Sequence, residues 1–263
     1  MSRIILAAID GTGSESWRSP SGANSHVYCF YRDLSVQGGT KRYFDGPTDR
    51  GILGSLGFDT GSIIDNVNLF IARSLHRLAP PLRGIEVNYL ANHLHYLRGP
   101  AFANDLADIE FCLVGHSRGG HIAITIAESL PKRVKFIGLY DAVDRSLLVL
   151  GRDIRNVELT YHARRSPTMR SRGSFGNTGT ATADGGQYIS RFFSTSHGGV
   201  GGDPAPANSI TADLTCSPDT LSSHIYQSLT NEPITALCER ERDNADRFVR
   251  QGARNANLIL SGR

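Results

Sequence analysis

One serine in this chain lies in a sequence context that can make its hydroxyl a nucleophile. Ser117 is the centre of Gly115-His116-Ser117-Arg118-Gly119, which matches the nucleophile-elbow motif G-x-S-x-G. In that motif the serine occupies a strained turn between a strand and a helix, and the glycines remove side chains that would clash. The turn also points the first helical amide, here that of Arg118, at a developing oxyanion. The motif therefore predicts attack of Ser117 on a carbonyl carbon.

A serine hydroxyl needs a histidine to accept its proton, and the elbow motif is followed in the chain first by an acid and then by the histidine. Of the nine histidines, those after Ser117 are His121, His162, His197 and His224. His121 is too close in sequence on the elbow helix, and His162 lies inside a strand pattern typical of a core histidine. His197 follows a predicted strand in a Gly-rich loop, where a base above the sheet edge is expected. We predict His197 as the base, with His224 in reserve.

The acid that orients this histidine has three candidates. Asp141 comes directly after an apolar strand pattern, so its side chain is expected beside Ser117 at the carboxyl edge of the sheet. Asp144 is a few residues further along, and Asp203 lies in the same loop as His197, where a turn role is equally natural. We predict Asp141, and the other two remain alternatives.

A second oxyanion donor is expected from the loop after an early strand. The apolar run Ile4–Ile9 ends in Asp10-Gly11-Thr12-Gly13, which places Gly11 or Thr12 best. A turn without a catalytic duty is the alternative reading of the same residues.

The elements around these residues alternate between strand and helix. Strand patterns cover Ile4–Ile9, 41–44, 109–114, 134–140, 157–163 and 188–193, and helical spacing covers 25–34, 63–78, 85–97, the segment after Ser117 and part of the last thirty residues. Residues 45–62 are predicted to form a loop, and 85–97 a surface helix over the core or, as the alternative, a cover for a substrate cleft. The pattern predicts one α/β domain over 1–263, with a mostly parallel sheet and helices on both faces.

Several function classes receive little support. The net charge of +3 is spread out, and the basic groups Arg164-Arg165, Arg170 and Arg172 are short, so nucleic-acid binding is not expected. The four cysteines lack metal-ligand spacing and the elbow lacks the Lys-Ser/Thr pair of a phosphate loop. No cofactor and no metal are expected. The first apolar run is too short for a signal peptide, so we expect a protein that is cytoplasmic when synthesised, with export by a route without a cleaved signal still open.

Several segments of the chain together resemble the bacterial type VI secretion lipase and phospholipase effectors and the broader uncharacterised α/β-hydrolase domain family that contains them. The matching segments are Asp10-Gly11-Thr12, Val27-Tyr28, Tyr43-Phe44-Asp45-Gly46, Gly115-His116-Ser117-Arg118-Gly119-Gly120, Leu139-Tyr140-Asp141-Ala142-Val143 and Ser196-His197-Gly198-Gly199-Val200-Gly201-Gly202.

The resemblance implies an α/β-hydrolase fold with Ser117 as nucleophile, His197 as base and Asp141 as acid. It also implies an ester or phospholipid substrate, and a phospholipid would bring peripheral membrane contact. The sequence favours a serine ester hydrolase. The alternatives are a non-catalytic relative used for binding or scaffolding, and an acyltransferase or thioesterase with the same triad.

Overall fold

The computed structural model describes residues 2–12, 24–47, 58–144, 152–169, 176–204 and 234–261. Its centre is a six-stranded, all-parallel sheet with the strand order β2-β1-β3-β4-β6-β8. A two-stranded antiparallel ribbon pairs β5 with β7. The strands are β1 Arg3–Ile9, β2 Thr40–Phe44, β3 Ile109–His116, β4 Val134–Tyr140, β5 Val143–Asp144, β6 Val157–Arg165, β7 Gly176–Asn177 and β8 Gln187–Phe193.

Helices cover both faces of the sheet, as the sequence predicts. They are α1 His26–Asp33, α2 Phe58–Leu78, α3 Val87–Asn92, α4 Arg118–Ser129, α5 His197–Gly201 and α6 Ile234–Asn255. Alternate residues of β1 enter two separate cores because successive strand side chains point to opposite faces. Ile5, Ala7 and Ile9 pack with α2, α3 and α4, whereas Leu6 and Ala8 pack with α1 and α6.

The predicted loop over 45–62 is wrong at its end, because α2 begins at Phe58. Gly61 has a poor helix propensity, which favoured a loop in the sequence. In the fold, the Arg118 guanidinium donates a hydrogen bond to Thr60 Oγ1 at 3.0 Å, so a tertiary contact holds the first turns of α2. Residues 48–57 of the predicted loop lie outside the described residues.

The helix predicted over 85–97 is broken into two pieces. It consists of the short helix α3 and a 3-10 segment, Leu94–Arg98, separated at His93, whose φ of −133° and ψ of 28° are not helical. Leu90 and Leu94 are buried in the core on the α2 side of the sheet. The segment therefore covers the core, which was the preferred interpretation, and does so without a continuous helix.

The last helix fixes the carboxyl end of β4. Arg250 of α6 is almost fully buried and forms ion pairs with Asp33 at 3.0 Å and with Asp246 at 2.7 Å. Tyr140, the last residue of β4, donates its phenolic proton to Asp246 Oδ1 at 2.9 Å. This network holds the residue directly before Asp141.

Because the connections reverse direction at β1, a ligand crevice is expected at the carboxyl edge between β1 and β3. From β1 the chain moves outward to β2 and then returns to the other side of β1 as β3. In parallel sheets, ligands bind outside the carboxyl ends of the strands at such a reversal point. Asp10-Gly11-Thr12 follows β1 and Ser117 follows β3, so both segments meet at this crevice.

Candidate active site

Ser117 connects β3 to α4 in a backbone conformation that a non-glycine residue rarely adopts. Its φ is 55° and its ψ is −128°. The surrounding chain enforces this geometry: the Ser117 amide donates to the Tyr140 carbonyl at 3.0 Å, and its carbonyl accepts from the Val143 amide at 3.1 Å. The strained turn predicted from the motif is therefore present, and β4 and the residues that follow it hold it in place.

The two motif glycines lie where a side chain would collide with backbone. A Cβ added to Gly115 would lie 2.5 Å from the Gly119 carbonyl oxygen, and one added to Gly119 would strike the carbonyl oxygens of Ile9 and Asp10. Neither neighbour is a flexible side chain, so neither collision could be relieved cheaply. Gly115 is required because the strand end lies against the first turn of α4, and Gly119 is required because α4 lies against the end of β1.

His197 reaches Ser117 from the other side of the crevice. Its Nε2 is 2.8 Å from Ser117 Oγ. The sequence predicts a loop here, but the structure has the short helix α5, capped by Ser196, whose hydroxyl accepts the Gly199 amide at 2.9 Å. The glycine-rich sequence disfavours a helix in isolation, and this side-chain cap supplies part of the stabilisation.

Asp141 completes the arrangement from the end of β4. Its Oδ2 is 2.7 Å from His197 Nδ1, and its side chain is almost completely buried. Its backbone is left-handed, with a φ of 43°, and its amide donates to the Ala163 carbonyl at 2.7 Å. This turn aims the carboxylate along the sheet edge toward His197, so Ser117, His197 and Asp141 form one hydrogen-bonded chain.

The structure places the other acid and base candidates elsewhere. Asp144 Oδ2 lies 3.8 Å from His121 Nδ1, and Asp203 is in the turn after α5, where its amide donates to the Gly198 carbonyl at 3.0 Å. His162 is a buried residue of β6, as its strand pattern predicts. His224 lies outside the described residues.

Arg165 is a member of this site that the sequence reasoning did not identify. It ends β6, next to β4 in the sheet, and its Nη1 is 2.6 Å from Asp141 Oδ2 while its amide donates to Asp141 Oδ1 at 3.2 Å. From the sequence, Arg164-Arg165 is interpreted only as a short basic group at the surface. Its position at the carboxyl end of a predicted central strand was the one available signal.

Electrostatics keep the Asp141 carboxylate ionised. Burial by itself would raise the pKa of Asp141, but the hydrogen bond from His197 and the charge of Arg165 outweigh burial and hold the pKa well below its ordinary value. An ionised carboxylate next to Nδ1 stabilises the tautomer whose Nε2 lone pair faces Ser117. The site is therefore arranged for proton transfer from Ser117 to His197.

Two buried neutral histidines support the turns of the site. The Ala142 amide donates to His162 Nε2 at 3.1 Å, and His162 Nδ1 is 3.0 Å from the Gly179 carbonyl, so the proton lies on Nδ1. His116 Nε2 is 3.2 Å from the His197 carbonyl, and the two imidazole rings are 4.9 Å apart. Burial lowers the pKa of His162 to about 4 and that of His116 to about 3.

The loop after β1 lies against Ser117. A Cβ added to Gly11 would be 3.0 Å from Ser117 Cβ, which shows how closely the two segments approach. The buried Asp10 carboxylate holds this loop by accepting the Gly11 amide at 2.8 Å, the Tyr43 hydroxyl at 2.7 Å and the Ser25 hydroxyl. The Gly11 amide is thus engaged with Asp10. Gly13 lies outside the described residues.

The buried histidines predict a loss of stability in acid. His116 and His162 stay neutral in the native state but titrate near 6.5 when unfolded, so the unfolded chain binds more protons as the pH falls. The stabilisation is present above about pH 6.5 and is lost below it. Together the two histidines should lower the free energy of unfolding by about 3–4 kcal/mol between pH 7 and pH 5.

Urea denaturation at pH 7, 6 and 5 measures this dependence. A His162→Gln variant should show a flatter pH dependence, and replacement of the exposed His95 by Gln should leave it unchanged. Equal unfolding free energies at pH 7 and pH 5 would contradict the assignment of neutral buried imidazoles.

Comparison with known proteins gives no family assignment: no protein-family model matches the chain, and no curated protein matches it significantly in sequence. Among the described residues, no cluster of three or more His, Cys, Asp or Glu side chains has a metal-binding arrangement. None of the helices in that part of the chain has both the length and the apolar character needed to cross a bilayer.

Proposed function

We propose that this protein is a serine ester hydrolase with an α/β-hydrolase fold. The observation that carries the proposal is the continuous chain from Ser117 Oγ to His197 Nε2 at 2.8 Å and from His197 Nδ1 to Asp141 Oδ2 at 2.7 Å. Nucleophile, base and orienting acid have the relative placement that acyl transfer through serine requires. Ser117 also has a strained backbone conformation, with a φ of 55°, and such strain clusters at functional sites, which supports the proposal.

The proposed reaction has two halves. Ser117 Oγ attacks the ester carbonyl carbon while His197 Nε2 takes its proton, and the tetrahedral intermediate expels the alcohol, which receives that proton from His197. Water then attacks the acyl-enzyme with His197 again as base, and the acid leaves as Ser117 regains its proton. Asp141 keeps the imidazole oriented and stabilises its protonated form throughout.

Two segments close to Ser117 would stabilise the oxyanion of the tetrahedral intermediate. The Arg118 amide opens α4 directly after the nucleophile, where amides point toward the helix N-terminus. The loop after β1 supplies the second donor. Thr12 is the better placed residue, since the Gly11 amide donates to Asp10, and the buried Thr12 hydroxyl has no hydrogen-bond partner within the described residues.

The order of the three residues supports the proposed fold family. Ser117 follows β3, Asp141 follows the neighbouring β4 and His197 comes after β8, so the chain order is Ser, Asp, His after three strands of one parallel sheet. That order is typical of α/β-hydrolases and differs from the orders in chymotrypsin-like and subtilisin-like enzymes. The resemblance to type VI secretion lipase and phospholipase effectors further suggests a lipid ester as substrate.

A fluorophosphonate probe tests the assignment. The wild-type protein should become labelled on Ser117, and Ser117→Ala should not, because the probe reacts with a serine activated by a base. Ser129→Ala, which changes a serine at the end of the same helix, is the matched control and should label normally. Equal labelling of wild type and Ser117→Ala would exclude Ser117 as the nucleophile, and no labelling of either would favour the binding or scaffolding alternative.

Substrate class is tested separately. Hydrolysis of p-nitrophenyl esters of graded chain length is compared with release of fatty acid from phosphatidylcholine and phosphatidylglycerol vesicles. Turnover on short soluble esters alone would remove the phospholipid from the proposal. Product analysis with an added alcohol distinguishes hydrolysis from acyl transfer.

A further inference from the structure

Arg165 has a contact with the proposed triad that ester hydrolysis by Ser117, His197 and Asp141 does not explain. Asp141 Oδ2 accepts from His197 Nδ1 at 2.7 Å and from Arg165 Nη1 at 2.6 Å. Its Oδ1 accepts from the Arg165 amide at 3.2 Å. One residue therefore binds both oxygens of the orienting carboxylate.

This clamp acts on a strained residue. Asp141 has a φ of 43°, which costs free energy for a residue with a side chain. A carboxylate in such a turn can rotate away from His197 unless other groups bind it. The Arg165 guanidinium and the Arg165 backbone amide bind one carboxylate oxygen each, and together they fix the carboxylate plane. A change of the Arg165 side chain removes the first bond and leaves the second.

The guanidinium also places a positive charge against the imidazole. Arg165 Nη1 is 3.4 Å from His197 Nδ1. Because Nδ1 carries the proton that it donates to Asp141, the two nitrogens are donors that share one oxygen and do not bind each other. A positive charge at this distance disfavours a second proton on the imidazole and so offsets part of the attraction of Asp141.

Other titratable groups surround His197 on its neighbouring elements. His116 ends β3 and lies 3.8 Å from Asp10, which follows β1. His162 lies on β6, and His26 of α1 is 3.0 Å from the Val200 carbonyl of α5. On α6, Glu241 accepts the Ser194 amide at 3.3 Å and Arg242 reaches the Asp203 carbonyl at 3.5 Å. Burial lowers the pKa of both His116 and His162, so both are neutral. Glu241 and Arg242 carry opposite charges and bind the backbone on either side of α5.

We propose that Arg165 is a positioning residue of the triad, which clamps the Asp141 carboxylate toward His197 and places a positive charge 3.4 Å from His197 Nδ1. The proposal rests on the proposed function. It assigns Arg165 no contact with the substrate, because its guanidinium acts through Asp141 and through its charge.

The test measures the rate constant of fluorophosphonate labelling between pH 5.5 and 9 for wild type, Arg165→Met and Arg165→Lys. In Arg165→Met the midpoint of the acid limb should rise by about one pH unit. Its plateau rate should fall about tenfold, since Asp141 loses the guanidinium bond and keeps only the backbone-amide bond. Arg165→Lys should keep the wild-type midpoint because the charge remains, while its plateau rate recovers only in part.

Arg164→Met is the matched control, because Arg164 lies on the same strand and stacks on Phe192 at 4.8 Å, away from Asp141. It should leave the midpoint and the plateau unchanged. An Arg165→Met protein with the wild-type midpoint and plateau would overturn the role of Arg165 and leave the proposed function intact. A wild type that is not labelled at all would overturn both.

If circular dichroism shows that Arg165→Met does not fold, the Arg165→Lys variant tests the proposal by itself. The proposal expects an unshifted acid limb with a plateau several-fold below wild type. An acid limb that moves by a full pH unit although the charge is retained would overturn the electrostatic role. A plateau equal to that of wild type would overturn the clamp.

Discussion

Ser117→Ala, His197→Ala and the double variant should all lose ester hydrolysis to the same extent, by about 10⁴- to 10⁶-fold in kcat. The reason is that the hydroxyl and the imidazole act as one unit across the 2.8 Å contact between Ser117 Oγ and His197 Nε2. Once either is removed, the other has no partner for proton transfer. Steady-state kinetics on p-nitrophenyl butyrate, with each protein checked by circular dichroism, measure the three rates.

The double variant shows whether Ser117 and His197 act independently or in one step. If the two residues worked independently, their losses would multiply, and the double variant would be slower than either single one. A double variant that is a further 10²-fold slower would contradict a shared proton-transfer step. His121→Ala is the control, because His121 is a partly buried residue of α4 that lies beside Asp144, and it should change kcat by no more than a few-fold.

Asp141→Asn should lower kcat by about 10⁴-fold while leaving the fold intact. The amide has nearly the shape of the carboxylate, but an amide nitrogen facing His197 Nδ1 favours the tautomer whose Nε2 carries the proton. That tautomer cannot accept the proton of Ser117. Here the Arg165 charge, 3.4 Å from Nδ1, would also lose its counter-ion and would further disfavour an imidazolium.

Asp144→Asn and Asp203→Asn are the matched controls for this prediction, since both residues are acid candidates from the sequence. Asp144 faces His121, and Asp203 is in the turn after α5, so each variant should retain kcat within a few-fold. Loss of activity in Asp144→Asn comparable to that in Asp141→Asn would indicate that the acid is misassigned. Pre-steady-state burst kinetics would show whether acylation or deacylation is slowed in Asp141→Asn.

Asp141 and the buried histidines affect the stability of the protein in different pH ranges. The Asp141 carboxylate has a pKa held below its ordinary value, so its ion pair stabilises the native state above the ordinary pKa of an aspartate and is lost only as the pH falls well below it. Between pH 7 and pH 5 the loss of stability therefore comes from the buried histidines and not from Asp141. Activity assays of the variants should be made at pH 7 or above, where neither the buried histidines nor Asp141 lower the stability of the protein.

The sequence alone determined the parts of this protein that depend on local pattern. Apolar runs of strand length and helical spacing placed β1, β3, β4, β6 and β8 and the helices beside them, because burial of one face imposes a period that short segments already carry. The same holds for the elbow, where steric crowding admits only glycine at 115 and 119. The sequence alone therefore identifies Ser117 and His197 as candidates.

Tertiary structure decided what depends on orientation and on partners distant in the chain. Three carboxylates were acceptable acids by sequence, and only the left-handed turn at Asp141 aims one of them at His197. Arg165 is 24 residues from Asp141 and becomes its hydrogen-bond partner only because β4 and β6 are neighbours in the sheet. Likewise, Thr60 extends α2 through its bond with Arg118, against the local propensity of its own segment. Local periodicity carries no information about such pairings, because strand order and backbone turns, not residue type, set which side chains meet.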